Sequence, residues 1–203
     1  TSSLSVTPEI AVKALNNKAT ALHIGTLALV YEPLSQATRA VVSAMAENQI
    51  LMVDPNARPS VMQDPSQFWK TFNGSLERAD VVKCSGDDLD YMFPDLSNRE
   101  AARDICARSQ AVVLLTDGSN GVLVLTQTEE MQVNVAEVHV VDTVGAGDSF
   151  SGGFLSFWDK HNLSRDELAN TESVRAAVEF GIKVAGLTCQ RAGAMPPFAH
   201  ELI

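Results

Sequence analysis

The stretch VVDTVGAGDSFSGGF, Val140 to Phe154, sets closely spaced glycines, two acids and no lysine at the point where a β-rich segment gives way to an amphipathic run. It is glycine-rich like a phosphate-binding loop, yet it fits neither common template. GxxxxGK[ST] requires a lysine that is absent, and GxGxxG fails because Phe150 stands in place of the third glycine. What the turn does depends on what surrounds it.

The 203-residue chain is 45% hydrophobic and 20% charged, an ordinary globular composition with length for one sizeable core, so a single domain over 1–203 is expected. Its net charge of -10 and the lack of any Lys/Arg cluster argue against a nucleic-acid surface. Acidity does not exclude phosphate ligands, because backbone N–H groups and a divalent metal hold small anions without basic side chains. Cys84, Cys106 and Cys189 are odd in number and widely spaced, as in reduced thiols of a cytoplasmic protein. His23, His139, His161 and His200 are scattered, against a zinc site. No apolar run approaches the roughly 18 residues of a membrane span, and no signal-peptide pattern is present, so no membrane association is expected.

Two periodicities alternate along the chain. Ala21–Gly25, Ile50–Asp54, Asp80–Cys84 and Ala111–Thr116 are short β-branched apolar runs of the kind buried in parallel sheets, each ending on a small or polar residue. Helical stretches are expected at Pro8–Lys18, Pro33–Asn48, Pro65–Ala79 and Asn98–Ser109, with Asp64 and Asn98 as N-caps. This is the rhythm of a doubly wound, mostly parallel α/β sheet with helices on both faces. After Thr116, DGSNG reads as a hairpin-type turn, Val122–Leu125 and Met131–Val135 as antiparallel strands, and Val138–Val141 as the lead into the glycine turn. Helices from Ala146 to about His161 and from Glu172 to about Gln190 close the chain.

Ligands of open α/β sheets bind beyond the carboxyl ends of the strands. The residues there are Asp54-Pro-Asn-Ala-Arg58, Ser85-Gly-Asp-Asp88, Thr116-Asp-Gly-Ser-Asn-Gly121 and Asp142 to Asp148. Each alone reads equally as a turn: DPNAR as a capped strand end with Arg58 in a surface ion pair, TDGSNG as a hairpin. Four such segments in matching places are harder to explain as turns.

Asp142-Thr-Val-Gly-Ala-Gly-Asp-Ser-Phe150 resembles the C-terminal signature of the ribokinase-like, or phosphofructokinase-B, carbohydrate kinases. The resemblance implies that Gly145, Ala146 and Gly147 form an anion hole at a helix N-terminus and that Asp148 is the catalytic base. Asp148 also reads as a helix-initial acid favoured by the dipole. TDGSNG is similar to the family's T-x-G-x-x-G, which implies nucleotide contacts for Thr116, Gly118 and Gly121. Ser85-Gly-Asp-Asp88 falls where the family has N-x-x-E, whose carboxylate helps organise Mg²⁺ through water; both positions differ here, so the resemblance implies that role for Asp88 with a shorter side chain, and Asp87 competes for it. DPNAR is similar to the D-P-N-x-R of fructokinases and ketodeoxygluconate kinases, implying phosphate and substrate contacts for Asn56 and Arg58. Arg191-Ala-Gly193-Ala resembles the closing R-x-G-A segment, with Gly193 near the nucleotide.

The run His23-Ile-Gly-Thr-Leu-Ala-Leu-Val-Tyr-Glu-Pro33 is similar to the fructokinase branch. The resemblance therefore implies an ATP-dependent sugar kinase using Mg²⁺ and a monovalent cation such as K⁺, fructokinase-like, with ketodeoxygluconate kinase or a non-catalytic nucleotide-binding remnant as alternatives. A Rossmann dehydrogenase is disfavoured by the failed GxGxxG. The motifs cover the C-terminal two-thirds of the family pattern; the N-terminal strands and the small lid, through which a homodimer would form, have no counterpart in this sequence.

Overall fold

Short β-branched runs flanked by polar residues form the strands, and amphipathic stretches between them form the helices. The computed structural model describes residues 5–15, 19–62 and 64–202. In chain order the elements are α1 (Pro8–Ala14), β1 (Ala21–Gly25), α2 (Leu27–Val30), α3 (Leu34–Ala44), β2 (Ile50–Asp54), α4 (Pro65–Leu76), β3 (Val81–Ser85), α5 (Gly86–Met92), α6 (Asn98–Ser109), β4 (Val112–Thr116), β5 (Val122–Leu125), β6 (Glu130–Val133), α7 (Ala146–Lys160) and α8 (Thr171–Cys189). The strands form one six-stranded sheet in the order β1-β2-β3-β4-β5-β6, and β1 through β4 pair in parallel. The mostly parallel α/β architecture expected from the sequence is the one observed.

The described residues divide into two compact units: one up to Asp117 together with Leu123–Met131, the other Gly118–Val122 with Gln132 onward. In the first, alternate strand residues Leu51, Val53, Val82, Cys84, Val113 and Leu115 point into a core completed by Phe68 and Phe72 of α4 and Ile105 of α6. Phe68 and Phe72 lie one helical turn apart and stack at 5.6 Å. Full burial of such a side chain contributes about 1.5–3 kcal/mol. Met52, Val81 and Leu114, on the opposite faces of the same strands, are buried as well, so the central strands read as continuous apolar runs.

Local signals set the helix ends. Asp64 caps α4 by accepting from the Ser66 amide, as expected. At α6 the cap is Ser97 and not Asn98: Ser97 and Glu100 form a reciprocal capping box that satisfies two backbone donors, which an Asn one residue later cannot do. The expected helix from Pro8 stops at Ala14, and residues 16–18 of that expectation lie outside the described residues. DGSNG connects the neighbouring strands β4 and β5 as the expected hairpin-type turn, with a 3₁₀ turn over Gly118–Asn120; a second turn, Thr126–Glu129, joins β5 to β6 and is closed by the Thr126 amide on the Glu129 carbonyl at 2.9 Å. No helix among the described residues is long and apolar enough to cross a membrane.

The second unit is built on α7 and α8. Phe150, Phe154 and Trp158 recur at four-residue spacing and form the buried stripe of α7. The two helices approach closely at glycines. A Cβ on Gly153 would lie 2.9 Å from the Gly181 Cα, and one on Gly181 would lie 2.9 Å from the Phe150 carbonyl oxygen. Gly152, one residue away, has nothing within 4 Å. Gly153→Val should therefore lower unfolding free energy by about 1–3 kcal/mol through overpacking, whereas Gly152→Ala should be neutral or stabilising by up to about 1 kcal/mol. Urea denaturation of the two variants checks this pair.

Candidate active site

Pairing register sets the carboxyl edge of the sheet. Gly25 lies opposite Asp54, and Ser85 opposite Thr116. The first contact is so close that a Cβ on Gly25 would fall 2.3 Å from the Asp54 carbonyl oxygen, so only glycine fits. The chain then turns sharply at two neighbouring points. Thr26 has φ 43° and Asn56 has φ 37°, both in the left-handed region. Asn tolerates this region, but a β-branched Thr there is a genuine outlier. Such conformations cost on the order of 1–3 kcal/mol each and persist only where surroundings over-determine them. Here Asn56 Nδ2 donates to Thr26 Oγ1 at 2.6 Å, linking the two turns.

Beneath them lies a buried ion pair. Lys83 Nζ donates to Asp54 Oδ2 at 2.8 Å, with both side chains under 10% exposed. Asp54 Oδ1 accepts from the Asn56 amide at 3.1 Å. Burial pushes the Asp54 carboxyl up, and the Lys83 ammonium opposes that shift. A lysine inside a central strand was not singled out from sequence; its signal is a lone cation in an apolar run one strand away from a strand-ending aspartate.

Asp88, expected to organise a metal, is only 2% exposed. It is the third residue of α5, and it forms a capping box with Ser85. Its Oδ2 accepts from the Ser85 amide at 2.8 Å and Ser85 Oγ at 2.7 Å, and its Oδ1 from the Ala57 amide at 2.7 Å. This carboxylate does not fit direct metal coordination. Asp87 is exposed instead, and no group of three or more His, Cys, Asp or Glu among the described residues is arranged to hold a metal ion. Thr116, also of the first unit, donates through Oγ1 to the Cys84 carbonyl at 3.3 Å. Arg58 is exposed, with no side-chain partner among the described residues, so it is not the surface ion pair considered from sequence.

In the second unit the glycine turn delivers α7. Gly145 is its N-cap at φ 77°, and a Cβ there would meet the Ala194 Cβ at 2.7 Å. The Ala146 amide is bonded to the Thr143 carbonyl and the Ser149 amide to the Gly145 carbonyl. The amides of Gly147 and Asp148 fall at the helix positions that have no intrahelical acceptor. Asp148 is exposed in that first turn. Gly193, at φ 74°, is brought to the same turn: its amide donates to Asp142 Oδ2 at 2.8 Å while Asp142 Oδ1 accepts from the Val144 amide at 3.0 Å. These two backbone bonds hold the Asp142 carboxyl below its ordinary 3.8. Gly118 and Gly121 also have positive φ, and a Cβ on Gly121 would lie 2.3 Å from the Val133 carbonyl oxygen. The glycines of the sequence reading are thus required by backbone geometry at 121 and 145 at least.

The chain matches the pfkB family carbohydrate kinase pattern over residues 1–201. It belongs to the pfkB family of carbohydrate kinases. This pfkB chain is 30% identical to a Vibrio alginolyticus fructokinase over 185 residues, covering 90% of this chain and 59% of the relative. It is 30% identical to a Rhizobium leguminosarum bv. trifolii fructokinase over 149 residues, 73% of this chain and 46% of the relative. Among solved structures, a Vibrio cholerae O395 fructokinase bound to fructose, ADP and calcium superposes with a TM-score of 0.81 at 28% identity, over 94% of this chain and 62% of that one. A Xylella fastidiosa fructokinase with bound ATP superposes with a TM-score of 0.77 at 25% identity, over 94% and 62%. The pfkB chain therefore spans less than two thirds of the length of these relatives.

The lowered Asp142 carboxyl carries a pH signature. A depressed folded-state pKa contributes stability that is complete above the unfolded value and is lost as pH falls through the folded one. The melting temperature of the wild type relative to Asp142→Asn should hold steady above about pH 5 and converge on acidification below about pH 4. Thermal melts of both proteins across this range check it.

Proposed function

We propose that this pfkB chain is the nucleotide and phosphoryl-transfer part of an ATP-dependent sugar kinase, with fructose as the acceptor. One observation carries the reading: α7 begins at a left-handed Gly145, leaving the amides of Gly147 and Asp148 without helical acceptors and the Asp148 carboxylate exposed in the same turn. The fructokinases among its relatives support the substrate class.

In this reading the free amides at the α7 N-terminus take the γ-phosphate, where the helix dipole favours negative charge without a lysine. Asp148 accepts the proton of the sugar hydroxyl as its oxygen forms a bond to the γ-phosphorus. The bond from that phosphorus to the β,γ-bridging oxygen breaks, and ADP leaves. Thr116, Gly118, Gly121 and Gly193 serve the nucleotide, and Arg58 offers a fork of donors to phosphate oxygens. A divalent cation such as Mg²⁺ belongs with the nucleotide phosphates, because the carboxylates described above form no cage of their own. The three free thiols, each with its pKa raised by burial, suit a reducing cytoplasm.

Asp148→Asn should leave ATP affinity within about twofold and lower fructose-dependent ADP release by roughly 10²-fold or more, the scale of general-base loss. Coupled ADP assays alongside calorimetric ATP titration separate the two effects. Turnover equal to wild type in the variant overturns the assignment.

A further inference from the structure

We propose that Asp88 is a positioning residue for Arg58, acting as the last of three fasteners on the Asp54–Arg58 loop and not as a ligand for a metal. The proposal rests on the reading that Arg58 receives nucleotide phosphate. Three successive contacts pin the loop. The Asp54 carboxylate is tied to Lys83 Nζ at 2.8 Å, the Asn56 side chain to Thr26 Oγ1 at 2.6 Å, and the Ala57 amide to Asp88 Oδ1 at 2.7 Å. Arg58 follows immediately, exposed and with no side-chain partner among the described residues.

The chemistry of each fastener favours holding over binding. Asp88 is buried, and its other oxygen is occupied by the Ser85 amide and hydroxyl, so it has a fixed rotamer and no open face. Lys83 is buried on Asp54 and offers no charge to solvent. Asn56 and Thr26 hold left-handed backbones that their mutual bond stabilises. The loop has thus been given a rigid, over-determined shape up to the residue before Arg58. A guanidinium with many rotamers gains affinity for a polyphosphate when the backbone carrying it is fixed in advance.

A double-mutant cycle on ATP binding to the 203-residue chain tests this, read by calorimetry with and without Mg²⁺. Arg58→Gln and Asp88→Asn should each weaken ATP about tenfold, the scale of one lost charge-assisted hydrogen bond. The double variant should be no weaker than either single one, because both act through the same guanidinium. Thr26→Val should behave like Asp88→Asn, and Thr26→Ser, which keeps the hydroxyl, should restore binding; this arm stands if Asp88→Asn does not fold. Additive losses in the double variant overturn the proposal in favour of a general structural role. A loss with Asp88→Asn seen only when Mg²⁺ is present overturns it in favour of a metal role. An effect of Arg58→Gln that neither Asp88→Asn nor Thr26→Val shares removes the fasteners alone. Wild-type affinity in Arg58→Gln, or no ATP binding by the unmodified chain, overturns the phosphate reading of Arg58 and the proposal with it.

Discussion

The Lys83–Asp54 ion pair ties the carboxyl ends of β2 and β3 together inside the protein, and the shape of the neighbouring loop depends on it. Buried pairs of this kind add little net stability, because desolvating two charges offsets most of their attraction. Removing one partner is a different matter: an uncompensated buried charge costs about 3–5 kcal/mol. The pair therefore acts as a constraint on conformation. It fixes the Asp54 carboxylate, whose second oxygen then starts the turn by accepting from the Asn56 amide. Asp88 continues the arrangement by linking the start of α5 to the Ala57 amide.

Backbone geometry has the same part in the second unit that side-chain pairing has in the first. Gly145 opens α7 in a left-handed conformation against Ala194, and Asp142 gathers the Val144 and Gly193 amides onto one carboxylate. The sequence Val144–Asp148 carries no lysine, and in the proposed reading the positive field at this turn comes from unpaired amides and the helix dipole. The α7–α8 crossing at Gly153 and Gly181 anchors the helix that presents these groups.

Much of this was legible in the sequence, for physical reasons that differ by element. The parallel strands announced themselves as apolar runs, and Ile50–Asp54 and Val122–Leu125 were read to the residue because each is bounded by a polar or glycine stop. The glycine turn was legible because Gly145 combines a left-handed φ with a close approach to Ala194 that leaves no room for a Cβ. Helix α5 was missed because seven residues show too little periodicity, and its capping box, Ser85 and Asp88, also fits a metal-motif position. Asn98 was read as a cap since it is a good capping type, but Ser97 with Glu100 satisfies more donors. The role of Lys83 was invisible because a one-dimensional pattern does not show which strand ends beside it. Only the register of β2 on β3, Met52 opposite Val81, brings Lys83 level with Asp54.

The central claim is that the amides opening α7 receive the nucleotide's terminal phosphates. Amide ¹H–¹⁵N spectra of the chain, recorded during titration with ATP and separately with adenosine, address it most directly. The account predicts that the Gly147 and Asp148 resonances move with ATP and stay still with adenosine. Equal shifts with adenosine, or ATP-dependent shifts that leave Gly147 and Asp148 in place, would contradict it.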